Sequence, residues 1–262
     1  MQCSTFSRAT LGIIVALFTP MASAQILQMS TFVSENGSPA NVCINAQDPC
    51  QTLNQAYNYT RPGGQIMILD SGQFLGKPLI ITKPISIYAV AVSAYLATGV
   101  AGDYITVNAP ANAVVYLDGL RLIADASEAR RKGIVFNGGA QLHIRNCWIH
   151  GFGTGIRIEA PGSSKVIISN CRIYDNTFGI SAKKNGGSGP LTVLVHNTTL
   201  TANNHAVYAD GGGTHIQLDE SRIVGNHHGI RANGNGRLIS YGNNVITRNA
   251  TNGQPTHHAQ LR

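Results

Sequence analysis

Charge is scarce in this chain. Asp, Glu, Lys and Arg together make up 12% of 262 residues, about half the usual share. Aromatic residues reach only 6%, with a single Trp. Beyond the first 24 residues no stretch is long and apolar enough to cross a bilayer, so no transmembrane segment is expected. Acidic residues are too dispersed for a calcium site, which needs several carboxylates together. Neither a phosphate-cradling glycine loop nor a zinc spacing occurs, so no nucleotide, metal or other cofactor is expected. Disorder is excluded because 43% of residues are apolar and recur in a regular pattern. What the chain does have is glycine, 29 residues, and frequent Asn. These turn-formers suit short strands joined by tight corners.

The N-terminus reads as an export signal. Arg8 supplies a positive start, residues 11–18 a short apolar run, and Ala22, Ser23 and Ala24 a small-residue cleavage site. Residues 1–24 are therefore expected to be removed, and the mature protein to be secreted or periplasmic. Cys3 leaves with the signal, and in an oxidising compartment Cys43 and Cys50 are expected to form a disulfide. The formal charge of +7 falls to +6 when Arg8 is lost. That balance favours anionic partners such as acidic polysaccharide, lipopolysaccharide or nucleic acid, and is equally a solubility property.

Internal repetition organises the second half. The segments LHIRNCWI (142–149), VIISNCRI (166–173), VLVHNTTL (193–200), IQLDESRI (216–223) and ISYGNNVI (239–246) end at positions that advance by 24, 27, 23 and 23 residues. A weaker copy, VYLDGLRL, spans 115–122. Each is followed by a second motif, Gly133, Gly155, Gly179, Ala206 or Gly229 before Ile or Val, and Asn recurs between them at 176, 203, 226 and 249. A period near 23 with alternating apolar residues predicts three short strands and three corners per coil. The fold class is all-β: a single-stranded right-handed parallel β-helix of roughly eight coils. Coils stacked at about 4.8 Å let each strand pair with its copies above and below. Asn tolerates the left-handed backbone of a sharp corner, and stacked amides bond along the column. Asn146, Asn170, Asn197 and Asn243 form a second such column.

Period-two alternation assigns the faces. Inward columns hold Leu142, Val166, Val193, Ile216, Ile239 and Ile144, Ile168, Val195, Leu218, Tyr241. Cys147 and Cys171 fall at a small inward position, as stacked core thiols or an inter-coil disulfide. The first strand presents Asp118, Arg145, Ser169, His196, Asp219 and Gly242, beside Tyr116 and His143. The second presents Arg121, Trp148, Arg172, Thr199, Arg222 and Val245, an arginine ladder beside the Trp that suits a sugar acid by charge and stacking. The third presents Arg157, Ser181, Tyr208 and Arg231, with Glu159 and Asp210 two coils apart, near the wide carboxylate spacing of inverting glycosidases. His227 with His228, and His257 with His258, read as surface residues. Polar residues must cover any solenoid, so each cluster is also explicable as plain surface.

A solenoid must close its ends. Asp48 and Pro49 read as the N-cap and first position of a helix with Leu53, Ala56 and Tyr57 on one face. The organisation predicted is a cap with a short helix over 25–62, the β-helix over 63–250 and a frayed polar tail over 251–262. The segments TFVS (31–34), DPCQT (48–52) with Ala56, GGQI (63–66), LDSG (69–72) and ITKPISI (81–87) resemble exported bacterial β-helix proteins of the pectin-lyase-like superfamily. The resemblance covers nearly the whole mature chain and implies a substrate groove along the first-strand face. Signatures of known enzymes on this fold are missing: the paired aspartates and Gly-His-Gly of polygalacturonases, the Arg-x-Pro-x-x-Arg of pectate lyases and the Asp-Pro-His-Glu of alginate epimerases.

Two functional classes follow. One is a non-catalytic exported protein that binds an acidic polysaccharide or envelope glycan, or serves structurally at the envelope. The other is a polysaccharide lyase or hydrolase. As a lyase, Arg145 would neutralise a uronate, His143 or His196 would take the α-proton and Tyr116 would act as acid. As a hydrolase, Asp118 and Asp219 would be the carboxylates, but four coils separate them.

Overall fold

The computed structural model describes residues 27–259 apart from 75, 90, 97–100 and 126–129. The signal-peptide segment lies outside the described residues. The chain winds as a right-handed parallel solenoid. Among the described residues its strands fall into three sheets of ten, seven and eight strands, and every neighbouring pair is parallel. The first sheet includes Val114–Asp118, Gln141–Arg145, Lys165–Ser169, Leu191–His196 and Thr214–Asp219. The second includes Ala94–Leu96, Leu120–Ile123, Trp148–His150, Arg172–Tyr174, Thr199–Thr201 and Arg222–Val224. The third includes Thr154–Ile158, Phe178–Lys183, His205–Asp210 and His228–Asn233.

The core follows from the alternation. Leu142, Val166, Val193 and Ile216 stack in register, as do Ile144, Ile168, Val195 and Leu218, and all are buried. Each such side chain contributes roughly 1.5–3 kcal/mol of transfer free energy. Cys147 and Cys171 are buried free thiols; Cys147 Sγ lies 3.1 Å from the Arg145 carbonyl. Burial, with Cys171 beside it, pushes the Cys147 thiol up. The glycine motif has a steric cause. A Cβ on Gly179 would lie 2.7 Å from the Ala206 carbonyl oxygen of the next coil.

The asparagine column forms a buried ladder. The side-chain oxygens of Asn203, Asn226 and Asn249 each accept from the backbone and side-chain nitrogens of the Asn one coil earlier. Asn252 closes the ladder at 2.9 Å from Asn249. The left-handed residue at this corner is the one before each Asn: Asp175, Ala202, Gly225 and Arg248. The ladder Asn is thus selected for its amide, not for its backbone conformation. The expectation of a left-handed Asn holds at three members of the second column, where Asn146, Asn170 and Asn197 have φ of 54, 56 and 43°, but not at Asn243, which follows the left-handed Gly242.

Three expectations are corrected. The helix is Leu53–Tyr59 with Thr52 as N-cap, its side chain accepting from Gln55 N. Asp48 and Pro49 stand outside it, because Asn45 Oδ1 takes the Asp48 N–H and Cys50 is bridged to Val33 in extended form. The last coil is shifted by one: Leu238 and Ser240, not Ile239 and Tyr241, pair with Ile216 and Leu218. Ile239 pairs with Gln217 on the outer face. An extra residue at the Tyr241–Gly242 corner, with Gly242 at φ +84°, restores the alignment by Val245, which pairs with Arg222. The tail is not frayed up to residue 259. His257–His258 extends the first sheet against Ile239 and Ser240, and Thr256 caps the Leu238 backbone.

At the other end, Gln28–Val33 pairs with Thr60–Ile68 and so adds a strand to the first sheet. Leu53 and Ala56 of the helix are buried, and the Cys43–Cys50 disulfide, with Cα atoms 4.9 Å apart, ties down the preceding loop.

Candidate functional site

On the first-sheet face both aspartates are partnered, while Lys165 and Arg237 have no ion pair among the described residues. Arg145 Nη2 meets Asp118 Oδ2 at 2.9 Å, and Asn146 Nδ2 donates to Asp118 Oδ1 at 2.7 Å. Asp118 is 7% exposed. Tyr116 and His143, one coil apart, stack with centroids 4.4 Å apart. Burial, and then the Arg145 guanidinium, hold His143 below the ordinary imidazole value. His196 Nδ1 meets Asp219 Oδ2 at 2.8 Å, and Asn243 Nδ2 donates to Asp219 Oδ1 at 2.7 Å. The geometry therefore assembles two clusters, Tyr116–Asp118–His143–Arg145 and His196–Asp219. Asp118 and Asp219 remain four coils apart in register, about 19 Å.

On the third sheet Glu159 pairs with Arg157, and Asp210 with Lys183 at 3.2 Å. Each carboxylate is neutralised by its own cation, and Lys183 stands on the coil between them. They are not poised as an acid and base across a shared water. Phe178, His205 and His228 stack along the same sheet at centroid spacings of 4.7 and 4.5 Å.

The second-sheet face differs. Tyr95, Arg121, Trp148, Arg172, Thr199 and Arg222 stand in one file, each paired in register with the next. Among the described residues no carboxylate lies within ion-pair distance of Arg121, Arg172 or Arg222. Arg121 and Arg172 lie over the Trp148 ring at 4.2 and 5.0 Å. Both guanidinium groups lie over its ring, and each cation–π contact holds a fork in place for about 0.5–1 kcal/mol. Hollows of about 290 and 280 Å³ flank Trp148. One reaches Asp118 and Asn146 at the first-sheet corner; the other is lined by Arg172, Tyr174, Thr199 and Thr201.

Sequence reasoning missed Tyr95, which begins this file with its ring 5.6 Å from the Arg121 guanidinium. Its signal was present: Ala94, Tyr95 and Leu96 repeat the buried–outward–buried pattern of Leu120, Arg121 and Leu122. It also missed Asn146 as a partner of Asp118.

The family model described as right handed beta helix region matches residues 123–254. Among solved structures, the crystal structure of pectate lyase Pel9A is similar with a TM-score of 0.55 and 16% sequence identity, over 82% of this chain and 62% of that one. This chain thus spans less than two thirds of the length of that lyase. No curated protein sequence matches the chain. A likeness at that identity carries the fold and not the reaction. With parallel coils throughout and a family match over half of its length, the chain belongs to the right-handed beta helix family.

Proposed function

We propose that the protein is an exported, non-catalytic binder of acidic polysaccharide that holds its ligand along the second-sheet face. One observation carries this reading: the file of Arg121, Arg172 and Arg222 has no acidic partner among the described residues, although Arg145, Arg157 and Lys183 on the other two faces do. A guanidinium fork suits a carboxylate in bidentate fashion. Export is supported by the positive start, apolar run and small-residue site of residues 8–24. The fold shared with a pectate lyase fits a ligand laid along a solenoid face.

The lyase alternative asks Arg145 to neutralise a substrate uronate. Its guanidinium instead serves Asp118. Affinity electrophoresis of the mature protein in gels cast with alginate, polygalacturonate, hyaluronan or dextran decides between the two. Retardation in an acidic gel but not in dextran, with no rise in absorbance at about 235 nm on prolonged incubation, supports binding. An unsaturated product that disappears with His143→Ala or Arg145→Ala would establish the lyase.

A further inference from the structure

The cations of the second-sheet file are spaced by a rule. Arg121, Arg172 and Arg222 occupy alternate coils, with Trp148 and Thr199 on the coils between. Paired backbones in adjacent coils are about 4.8 Å apart, so successive arginines stand about 10 Å apart and the outer two about 19 Å. A pyranose in an extended chain advances about 5 Å, close to one coil. A polysaccharide lying along the solenoid axis would therefore place one sugar on each coil and one carboxylate-binding fork under every second sugar.

We infer that the ligand is an alternating acidic polysaccharide, with one carboxylate per disaccharide and a neutral sugar between. This rests on the binding reading above and narrows it. The intervening positions fit neutral sugars: Thr199 and Thr201 line the hollow beside Arg172 with hydroxyls. A homopolymeric uronate carries a carboxylate on every sugar, so half of its carboxylates would find no cation in this file, where Trp148 and Thr199 offer none. Single-stranded nucleic acid is disfavoured for a different reason. It is held by stacking bases on aromatic faces, and the Trp148 ring already carries two guanidinium groups.

The test exchanges register at constant charge. Trp148 is the sole tryptophan, and its fluorescence reports occupancy of both flanking arginines. Wild-type protein and the exchange variant Arg172→Thr with Thr199→Arg are titrated, at about 0.15 M salt, with size-matched hyaluronan, polygalacturonate, dextran and oligo-dT. Expected for the wild type is binding to hyaluronan about tenfold tighter than to polygalacturonate, with none to dextran. The exchange variant is expected to lose about tenfold toward hyaluronan while its affinity for polygalacturonate stays within about twofold. Both exchanged side chains project outward, and a circular dichroism spectrum checks the fold; Arg222→Thr with Val245→Arg repeats the shift at the next pair. Equal hyaluronan affinity in wild type and exchange variants would overturn the inference. So would tightest binding to polygalacturonate or to oligo-dT. If both acidic glycans bind equally well, only the alternation falls; if neither binds, the binding reading falls with it.

Discussion

The outer faces of the first and second sheets are built on the same coils from neighbouring residues, yet they treat charge in opposite ways. On the first, Arg145 answers Asp118 and His196 answers Asp219, each with an Asn closing the remaining carboxylate oxygen. On the second, Arg121 and Arg172 rest on Trp148 with no counter-charge. A carboxylate that already meets a guanidinium or an imidazole and accepts from an amide has little left to offer a substrate. A guanidinium held by an aromatic face, with Arg121 also donating to Tyr95 Oη at 3.5 Å, keeps donors free for an external anion. The comparison separates charge used to hold neighbouring coils together from charge left open to an external anion.

The largest expected effect is on that open charge. Replacing Arg121, Arg172 and Arg222 together by Glu should weaken acidic-glycan binding by about a hundredfold or more in a fluorescence titration, roughly 2.7 kcal/mol, with the melting temperature nearly unchanged. Arg145→Ala should do the reverse. It leaves Asp118 largely buried without its cation, for about 1–2 kcal/mol of stability after solvent screening of the exposed arginine, and leaves glycan affinity within about twofold. If Arg145→Ala abolished binding and the triple variant did not, the two faces would exchange roles. Trp148→Leu frees both neighbouring guanidinium groups and should cost about three- to tenfold in affinity, with about 1 kcal/mol or less in chemical denaturation.

The smallest expected effect is on pH dependence. Burial is the leading cause holding His143, His150, His205 and His215 below the ordinary imidazole value. With the folded value lowered, the unfolded chain binds protons first. Stability is full above about pH 6.5 and declines as pH falls through that value toward the lowered ones. Melting curves between neutral and mildly acidic pH should fall by a few degrees. His205→Gln should flatten that slope, because it removes the imidazole facing His227, His228 and Arg231.

The fold was legible where repetition was regular. Alternation at 142–145, 166–169, 193–196 and 216–219 set the register that the sheets adopt. It failed at 239–241, where ISYGNNVI aligns by its Asn and final Ile but hides an extra corner residue absorbed by Gly242. Asp48-Pro49 looked like a helix start, but local chain geometry set by Asn45 and by the Val33 bridge overrode that preference. For the site, letters alone could align Arg121, Trp148 and Arg172 but not show which cations lack partners. The Asp118–Arg145 pair was visible as neighbouring letters. That Asn146 would turn its amide to Asp118, and that guanidinium groups would occupy the Trp148 ring, depends on side-chain geometry that no spacing encodes.

Arginine footprinting compares the two faces in one tube. The protein is treated with a guanidinium-specific dicarbonyl, with and without saturating acidic polysaccharide, and modification is mapped by mass spectrometry. The account requires Arg121, Arg172 and Arg222 to react readily alone and to be shielded together by the glycan, while Arg145 reacts slowly in both. Shielding centred on Arg145, with the three second-sheet arginines equally reactive throughout, would contradict it.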